Sequence, residues 1–214
     1  MMGSIYNFNM VAGTYDDFYK TKTGKKIDTE EKQCVKKFLD TIPKGEILEL
    51  GSGTGHWSKW LSEQGFEVLG IDISEKMLEK AKEKNIPNST FKAMNMFDLN
   101  FDDNSKDAII AITSLEFSTD PDKTFSEIKR VLKPEGHFIA AVLNSKSIIG
   151  INKKDNPTFA NANFFSLDGL KKRLQKIGTP KFCKAAYLNE NFEITADDKN
   201  TEPAMIVGFV KNNQ

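Results

Sequence analysis

The clearest chemical signal in the chain is a glycine-rich segment, ILELGSGTGHWS, which spans Ile47 to Ser58 and links an apolar run to a helical pattern. Gly51, Gly53 and Gly55 allow positive backbone angles and let a ligand touch the backbone directly. The helix predicted to begin near His56 would present unpaired N–H groups to an anionic group. A dinucleotide fingerprint would need glycine at position 56, and the G-K-[ST] ending of a triphosphate loop is absent. The loop therefore disfavours both a nicotinamide cofactor and ATP.

Two acidic side chains accompany this loop. Asp72, seventeen residues beyond Gly55, ends the next apolar run, and its carboxylate can accept from both hydroxyls of a ribose while repelling a ribose phosphate. Glu49 places a second carboxylate beneath the loop. Such groups suit an unphosphorylated nucleoside with a positively charged end, and S-adenosylmethionine has that form. The alternatives are a helix cap at Asp72 and an ion pair with a lysine at Glu49.

Strand and helix patterns alternate along the chain, which predicts an α/β fold with a mostly parallel sheet covered on both faces. Apolar runs typical of strands cover Glu46 to Leu50, Phe66 to Ile71, Thr90 to Ala93, Lys106 to Thr113, His137 to Leu143, Phe182 to Leu188 and Ala204 to Val210. Helical patterns follow the capping pair Asp28 and Thr29, the glycine loop, Ser74, Asp120 and Ser166. The polar stretch 189–203 between the last two strands favours an antiparallel hairpin.

The composition limits the partners of the chain. Its 214 residues are expected to form one domain with an appended element, and thirty basic against thirty acidic side chains give a formal net charge of zero. This balance offers no broad basic surface for nucleic acid, and no apolar run of about 18 residues predicts a membrane span. The first residues carry no export signal, so a cytoplasmic location is expected. Cys34 and Cys183 are interpreted as buried apolar groups, and no metal site is predicted.

Four motifs in chain order resemble those of the class I S-adenosylmethionine-dependent methyltransferases, and more narrowly their small-molecule branch of ubiquinone and menaquinone biosynthesis enzymes. They are ELGSGTG at Glu49 to Gly55, GIDIS at Gly70 to Ser74, NMFDLNFDDNSKD at Asn95 to Asp107 and RVLKPEGHF at Arg130 to Phe138. The resemblance covers about Met10 to Lys176. It implies a Rossmann-like three-layer sandwich with a seven-stranded, mostly parallel sheet in the order 3-2-1-4-5-7-6, in which strand 7 is antiparallel.

The resemblance also implies S-adenosylmethionine as the cofactor and assigns contacts to it. Gly51 to Gly55, which include Ser52, would line the methionyl part of the cofactor. Asp72 would bind the ribose, and Ile73 and Met77 would cover the adenine face.

The third motif departs from the family pattern at one position. Where the family usually has an acidic residue at the end of the third strand, this chain has Asn95, whose amide oxygen can accept from the adenine amino group without charge assistance. Met96 and Phe97 would add a backbone contact and an apolar wall. Asp98 would take the place of Asn95 if the register slips.

The segment Thr113 to Phe117 follows the fourth predicted strand and lacks the [DN]-P-P-[YF] tetrapeptide that is usual in methyltransferases acting on nucleobase amines. We therefore expect a small-molecule acceptor and no nucleic-acid partner. Glu116 in this segment is the side chain predicted as a general base.

Aromatic residues crowd the amino-terminal segment, residues 1–28. In relatives the corresponding segment closes over the cofactor and shapes the acceptor pocket, so the resemblance implies a lid here and a single cofactor-binding domain over residues 29–214. Tyr15 is then expected at the cofactor and Tyr19 at the acceptor, with simple packing as the alternative. Phe159, in the irregular connection after the fifth strand, would form the opposite wall.

Methyl transfer to a small molecule by in-line displacement is therefore the expected function. A catalytically silent module that binds S-adenosylmethionine or its demethylated product is one alternative. A nucleotide-dependent oxidoreductase is the other, and His56 argues against it because it replaces a fingerprint glycine.

Overall fold

A single twisted sheet organises the computed structural model, which describes residues 4–196 and 201–213. Its strand order is β3-β2-β1-β4-β5-β7-β6. The strands are β1 (Glu46–Leu50), β2 (Glu67–Asp72), β3 (Ser89–Ala93), β4 (Lys106–Ile112), β5 (Leu132–Leu143), β6 (Lys181–Tyr187) and β7 (Pro203–Lys211). Strands β1 to β5 pair in parallel, whereas β7 runs antiparallel to both β5 and β6. The predicted order and the predicted carboxyl-terminal hairpin are both confirmed.

Helices cover both faces of this sheet. They are α1 (Asp17–Lys20), α2 (Lys22–Leu39), α3 (His56–Glu63), α4 (Glu75–Glu83), α5 (Pro121–Val131), α6 (Ile148–Ile151) and α7 (Leu167–Leu174). Alternate residues of a strand point to opposite faces, and in β4 Ile109 packs with α5 and α7 while Ile110 packs with α2 and α3. Because both faces are covered, the central strands are continuous apolar runs, which is why their positions could be predicted.

No helix in the described ranges combines the length and the apolar character that crossing a bilayer requires.

Helix α2 begins earlier than the sequence predicts. Its cap is Thr21, whose hydroxyl accepts from the N–H of Gly24. The predicted capping pair is wrong, because Asp28 and Thr29 lie inside the helix, where the Thr29 hydroxyl donates to the carbonyl of Lys25. The predicted boundary of the lid segment at residue 28 therefore falls within α2. The predicted caps Ser74, Asp120 and Ser166 are confirmed, each accepting from an N–H group in the first turn.

The two cysteines are joined in a disulfide that links α2 to the edge strand β6. Cys34 and Cys183 lie 149 residues apart in the chain, and their Cα atoms are 5.9 Å apart. Their interpretation as separate apolar groups is wrong because α2 packs across β6, a contact that sequence spacing does not reveal. A stacked pair, Phe38 and Phe209, reinforces the same side of the sheet.

Arg130 of α5 holds the segment that follows β3. Its guanidinium donates to the carbonyl oxygens of Leu99 and Phe101, each at 2.8 Å. It also donates to both carboxylate oxygens of Glu127, which in turn accepts from the N–H of Leu99 at 2.9 Å. These bonds fix the backbone immediately after the segment that contains Asn95.

Replacing Arg130 with methionine should lower the free energy of unfolding by about 2 kcal/mol, since two carbonyls lose their donor and Glu127 loses its cation. The guanidinium beside Glu127 holds the pKa of that carboxyl below its ordinary value of 4.5. A lowered pKa in the folded state means that the stabilisation is complete above pH 4.5 and is lost as the pH falls below it. Urea unfolding at several pH values measures this dependence.

Lys129→Met is the matched control, because Lys129 makes no hydrogen bond or ion pair within the described structure. Lys129→Met should change the free energy of unfolding by no more than about 0.5 kcal/mol. Equal losses in the two variants would contradict the assigned role of Arg130.

Candidate functional site

The glycine loop lies between β1 and α3 and turns through three left-handed residues. Gly51 has φ +73°, Gly53 has φ +54° and Gly55 has φ +78°. A Cβ atom on Gly51 would lie 2.4 Å from the Cβ of Ser114, whereas one on Gly53 would meet no atom within 4 Å. The backbone at Gly53 is therefore open toward a ligand, and the backbone at Gly51 is pressed against the segment after β4.

The carboxylate of Asp72 joins this loop to the end of β2. Its Oδ2 accepts from the N–H of Gly53 at 2.9 Å, and its Oδ1 accepts from the N–H of Ser74 at 2.8 Å. Burial raises the pKa of Asp72, while the N–H donors of Ser74 and Gly53 oppose that rise. Each oxygen keeps a lone pair for a further donor, because a carboxylate oxygen can accept more than one hydrogen bond.

Two cavities meet at this edge of the sheet. The glycine-loop cavity is lined by eight of the residues predicted to bind the cofactor, namely Tyr15, Gly51, Gly53, Asp72, Ile73, Met77, Asn95 and Met96. The aromatic cavity has a volume of about 870 Å³, and its wall includes both residues predicted to bind the acceptor, Tyr19 and Phe159. Four side chains line both cavities: Phe8, Tyr15, Thr113 and Phe117. The structure thus brings the two predicted sets of residues to adjoining spaces.

Glu49 does not face either cavity. It is 2% exposed, and its Oε2 accepts from the hydroxyl of Ser58 at 2.5 Å. Burial raises its pKa to about 8. Its carboxyl therefore supports α3 through Ser58, and no lysine of the described residues pairs with it. The cofactor contact of Glu49 stays a prediction.

Ser52 and Gly55 also lie outside the cavity walls. The Ser52 hydroxyl is buried and has no hydrogen-bond partner among the described residues. Gly55 caps α3, and a Cβ there would lie 2.8 Å from Cδ1 of Ile86 and 3.2 Å from the Cβ of Ala81. Gly55 thus permits α3 and α4 to approach each other.

At the exit of β3, Asn95 and not Asp98 faces the glycine-loop cavity. The Oδ1 of Asn95 accepts from the N–H of Phe97 at 3.2 Å, which forms a local turn. Asp98 is exposed and does not line the cavity. The register considered as an alternative is therefore not the one adopted.

The amino-terminal segment lies over the glycine-loop cavity and is tied to it by polar contacts. The Oδ1 of Asn9 accepts from the hydroxyl of Ser74 at 2.7 Å. Asp16 accepts from the hydroxyl of Thr54 at 2.5 Å and pairs with Lys84 at 2.6 Å. These contacts join the segment to the glycine loop and to α4.

His56 fastens the beginning of α3 to α2 and to the amino-terminal segment. Its ring stacks on Tyr19 with centroids 3.6 Å apart, and its Nε2 lies 2.8 Å from the Oδ1 of Asp28. Lys32 pairs with the other oxygen of Asp28 at 2.7 Å. His56 thus has a packing role, as its position in the first helical turn suggests.

Glu116, predicted as a base, is fully buried and is not part of either cavity wall. Its Oε1 accepts from the N–H of Leu143 at 2.5 Å, and its Oε2 has no partner among the described residues. Burial raises its pKa to about 7. In this position the carboxyl lies behind the wall of the aromatic cavity and binds the N–H of Leu143.

The structure adds one polar residue that sequence reasoning missed. Glu31 of α2 is buried and lines the aromatic cavity. The missed signal is positional: Glu31 follows Ile27 by four residues and precedes Val35 by four, so it lies on the apolar stripe of the helix. Because the predicted helix begins after Asp28, it leaves out Ile27. The four-residue spacing of Ile27, Glu31 and Val35 is then not visible.

Comparisons with known proteins agree with this geometry. A family model described as a methyltransferase domain matches residues 48–140. An uncharacterized protein of Methanocaldococcus jannaschii is 32% identical over 170 residues, which cover 76% of this chain and 79% of that protein. A demethylmenaquinone methyltransferase of Tropheryma whipplei is 33% identical over 134 residues, which cover 62% of this chain and 55% of that enzyme. The match thus spans about half the length of that enzyme.

Solved structures share the fold. An S-adenosylmethionine-dependent methyltransferase of Thermotoga maritima, described as a possible histamine N-methyltransferase, superposes with a TM-score of 0.79 at 23% identity, covering 96% of this chain and 98% of that one. A chain of a complex that contains the Haloferax volcanii Trm112 methyltransferase activator gives a TM-score of 0.75 at 18% identity, with both chains covered completely.

Gly51→Ala should lower the free energy of unfolding by about 2 kcal/mol more than Gly53→Ala does. Both changes place alanine at a positive φ, but only the first pushes a Cβ into Ser114. Thermal and urea unfolding of the two variants measure the difference. Equal destabilisation would mean that the close approach to Ser114 does not constrain the loop.

Proposed function

Because the chain belongs to the class I S-adenosylmethionine-dependent methyltransferases, we propose that it transfers the methyl group of this cofactor to a small molecule bound in the aromatic cavity. The observation that carries the proposal is the junction of the two cavities. Tyr15 and Phe117 line both spaces, so an acceptor in the aromatic cavity would lie next to a cofactor in the glycine-loop cavity.

The residues of the glycine-loop cavity fit S-adenosylmethionine. The backbone at Gly53 is open, and the free lone pairs of Asp72 suit the two ribose hydroxyls. Ile73 and Met77 offer apolar surface to the adenine, and Asn95 offers an amide beside it. When bound, the cofactor supplies a methyl group already activated on a sulfonium. The task left to the protein is to align the acceptor and exclude water, which can contribute roughly 7 to 11 kcal/mol to lowering the barrier.

We assign the covering role to the amino-terminal segment, as a lid preceding the domain that holds the sheet. Its support is the set of contacts that Asn9 and Asp16 make with the residues around the glycine loop. Tyr15 is the lid residue at the junction. Burial and the Asp72 carboxylate raise the pKa of Tyr15 to about 12, so its hydroxyl stays protonated and can donate. Its ring can also stabilise a nearby sulfonium by about 0.5 to 2 kcal/mol.

Glu116 is proposed as a positioning residue and not as a base. Its side chain accepts from the N–H of Leu143, and its carbonyl accepts from the N–H of Asn163 at 2.7 Å. Leu143 belongs to the wall of the aromatic cavity. Through these bonds Glu116 holds the end of β5 and the connection after it, which together form one side of the cavity.

Two observations support a small-molecule acceptor. The aromatic cavity is a space of about 870 Å³ with a wall that is largely apolar, which suits a compact organic molecule. Several relatives are named for methylation of quinone-type molecules, among them a demethylmenaquinone methyltransferase and a 2-methyl-6-phytyl-1,4-hydroquinone methyltransferase.

Asp72→Ala should weaken the binding of S-adenosylhomocysteine by at least about tenfold, because the ribose loses a charged acceptor worth about 1.5 to 3 kcal/mol per bond. Isothermal titration calorimetry measures the affinity. Asp102→Ala, at an exposed position away from both cavities, is the control and should bind as the wild type does. Unchanged affinity in Asp72→Ala would refute the ribose contact.

Incubation of the protein with methyl-labelled S-adenosylmethionine and a pool of small metabolites tests the reaction itself. We expect label in a small molecule, detected by mass spectrometry. A protein that binds the cofactor with ordinary affinity but labels nothing in a broad pool would instead be the silent binding module.

A further inference from the structure

Glu31 stands out because it is a buried carboxyl without a protein partner. It is 7% exposed, lies in the wall of the aromatic cavity and makes no hydrogen bond or ion pair with any described residue. Its neighbours on α2 are paired: Glu30 accepts from the N–H of Ala186 at 3.0 Å, and Lys32 pairs with Asp28. A buried carboxyl left unpaired costs free energy unless a ligand supplies the partner.

The surroundings of Glu31 favour a cation as that partner. Tyr15 and Tyr19 also line the cavity, and neither hydroxyl has a hydrogen-bond partner within the described residues. Lys153, the lysine in the described wall, already donates to the carbonyl of Ala162 at 2.5 Å. The remaining wall is largely aromatic and aliphatic, and aromatic faces attract ammonium groups.

The charges that face Glu31 are mostly negative. They are Asp28 and Glu30 on its own helix and Glu116 after β4, against Lys32 on the helix. The wall of the cavity adds one charge of each sign, Asp155 and Lys153. Tyr15 and Tyr19, on the segment packed against α2, stay neutral because burial raises the pKa of both hydroxyls. Burial and then Asp28 raise the pKa of Glu31 to about 8.

We propose that the aromatic cavity binds an acceptor that carries an amine in its cationic form, with the Glu31 carboxylate as the partner of the ammonium and the aromatic rings around the apolar part of the molecule. This inference rests on the proposed function and names the substrate class of the same site. It requires no proton transfer and concerns recognition only.

The pH dependence of binding follows from the position of Glu31. A carboxyl with a pKa of about 8 is mostly uncharged at neutral pH and becomes charged as the pH rises. A quaternary ammonium keeps its charge throughout, so any change in its affinity reports on the protein. The affinity should therefore rise by about tenfold between about pH 6.5 and pH 9, with a midpoint near the pKa of Glu31.

Calorimetric titration with benzyltrimethylammonium in the presence of saturating S-adenosylhomocysteine tests the proposal. The neutral control ligand is 2-phenylethanol, which should bind weakly and without pH dependence. In Glu31→Gln the affinity for benzyltrimethylammonium should fall by about tenfold at high pH and lose its pH dependence. Glu30→Gln is the matched control, since it removes a carboxylate from the same helix but not from the cavity wall, and it should change the affinity less than twofold.

The binding of S-adenosylhomocysteine separates the possible failures. If the wild type does not bind it, the proposed function fails. If the wild type binds it but binds benzyltrimethylammonium no better than 2-phenylethanol, or binds it equally at all pH values, the amine inference alone is overturned. This pH profile of the wild type needs no variant, and retained S-adenosylhomocysteine binding shows that Glu31→Gln is folded.

Discussion

The candidate site depends on one bridging carboxylate. Asp72 accepts from Gly53 in the loop after β1 and from Ser74 at the beginning of α4, so one side chain sets the distance between two loops that belong to different strands. The carbonyl of Ile71 reinforces this link by accepting from the N–H groups of Gly51 and Ser52. These bonds hold the open backbone at Gly53 toward the cavity, together with the hydrogen bond from Thr54 to Asp16. The cofactor cavity is thus a consequence of how β1 and β2 end, side by side at the carboxyl edge of a parallel sheet.

The fold could be predicted from the sequence where burial on both faces leaves a continuous apolar run. β1 was predicted over its full length, and β4 to within one residue, because each is covered on both sides and bounded by polar or glycine residues. The beginning of helix α2 could not be predicted, because its first residues, KTGKK, are polar and include Gly24. No apolar periodicity marks them as helical. The disulfide could not be predicted either, because it depends on how α2 crosses the sheet. That crossing is a tertiary contact between segments that are distant in the chain.

The residues of the site likewise fall into those whose role could be predicted from the sequence and those whose role could not. The glycine loop and Asp72 could be found because backbone geometry and spacing determine their role. Glu49 could not be placed correctly, since the face of a strand on which a residue lies depends on what covers that face, and here the cover is Ser58 of α3. Four carboxyls show how the partner decides the role. Glu49 and Glu116 accept from protein groups inside the core, Asp72 accepts from backbone N–H groups beside a cavity, and Glu31 lines a cavity without a partner among the described residues.

Helix α2 connects the two halves of the site into one unit. Through Asp28 it binds His56 at the beginning of α3, directly after the glycine loop, and three residues later it presents Glu31 to the aromatic cavity. Tyr19 joins the same unit, because its ring stacks on His56 while it lines the aromatic cavity. A displacement of α2 large enough to move Glu31 would also have to break the Asp28 and His56 contacts. These contacts couple the position of the acceptor wall to that of the cofactor loop, and an in-line displacement requires the acceptor and the cofactor to be aligned with each other.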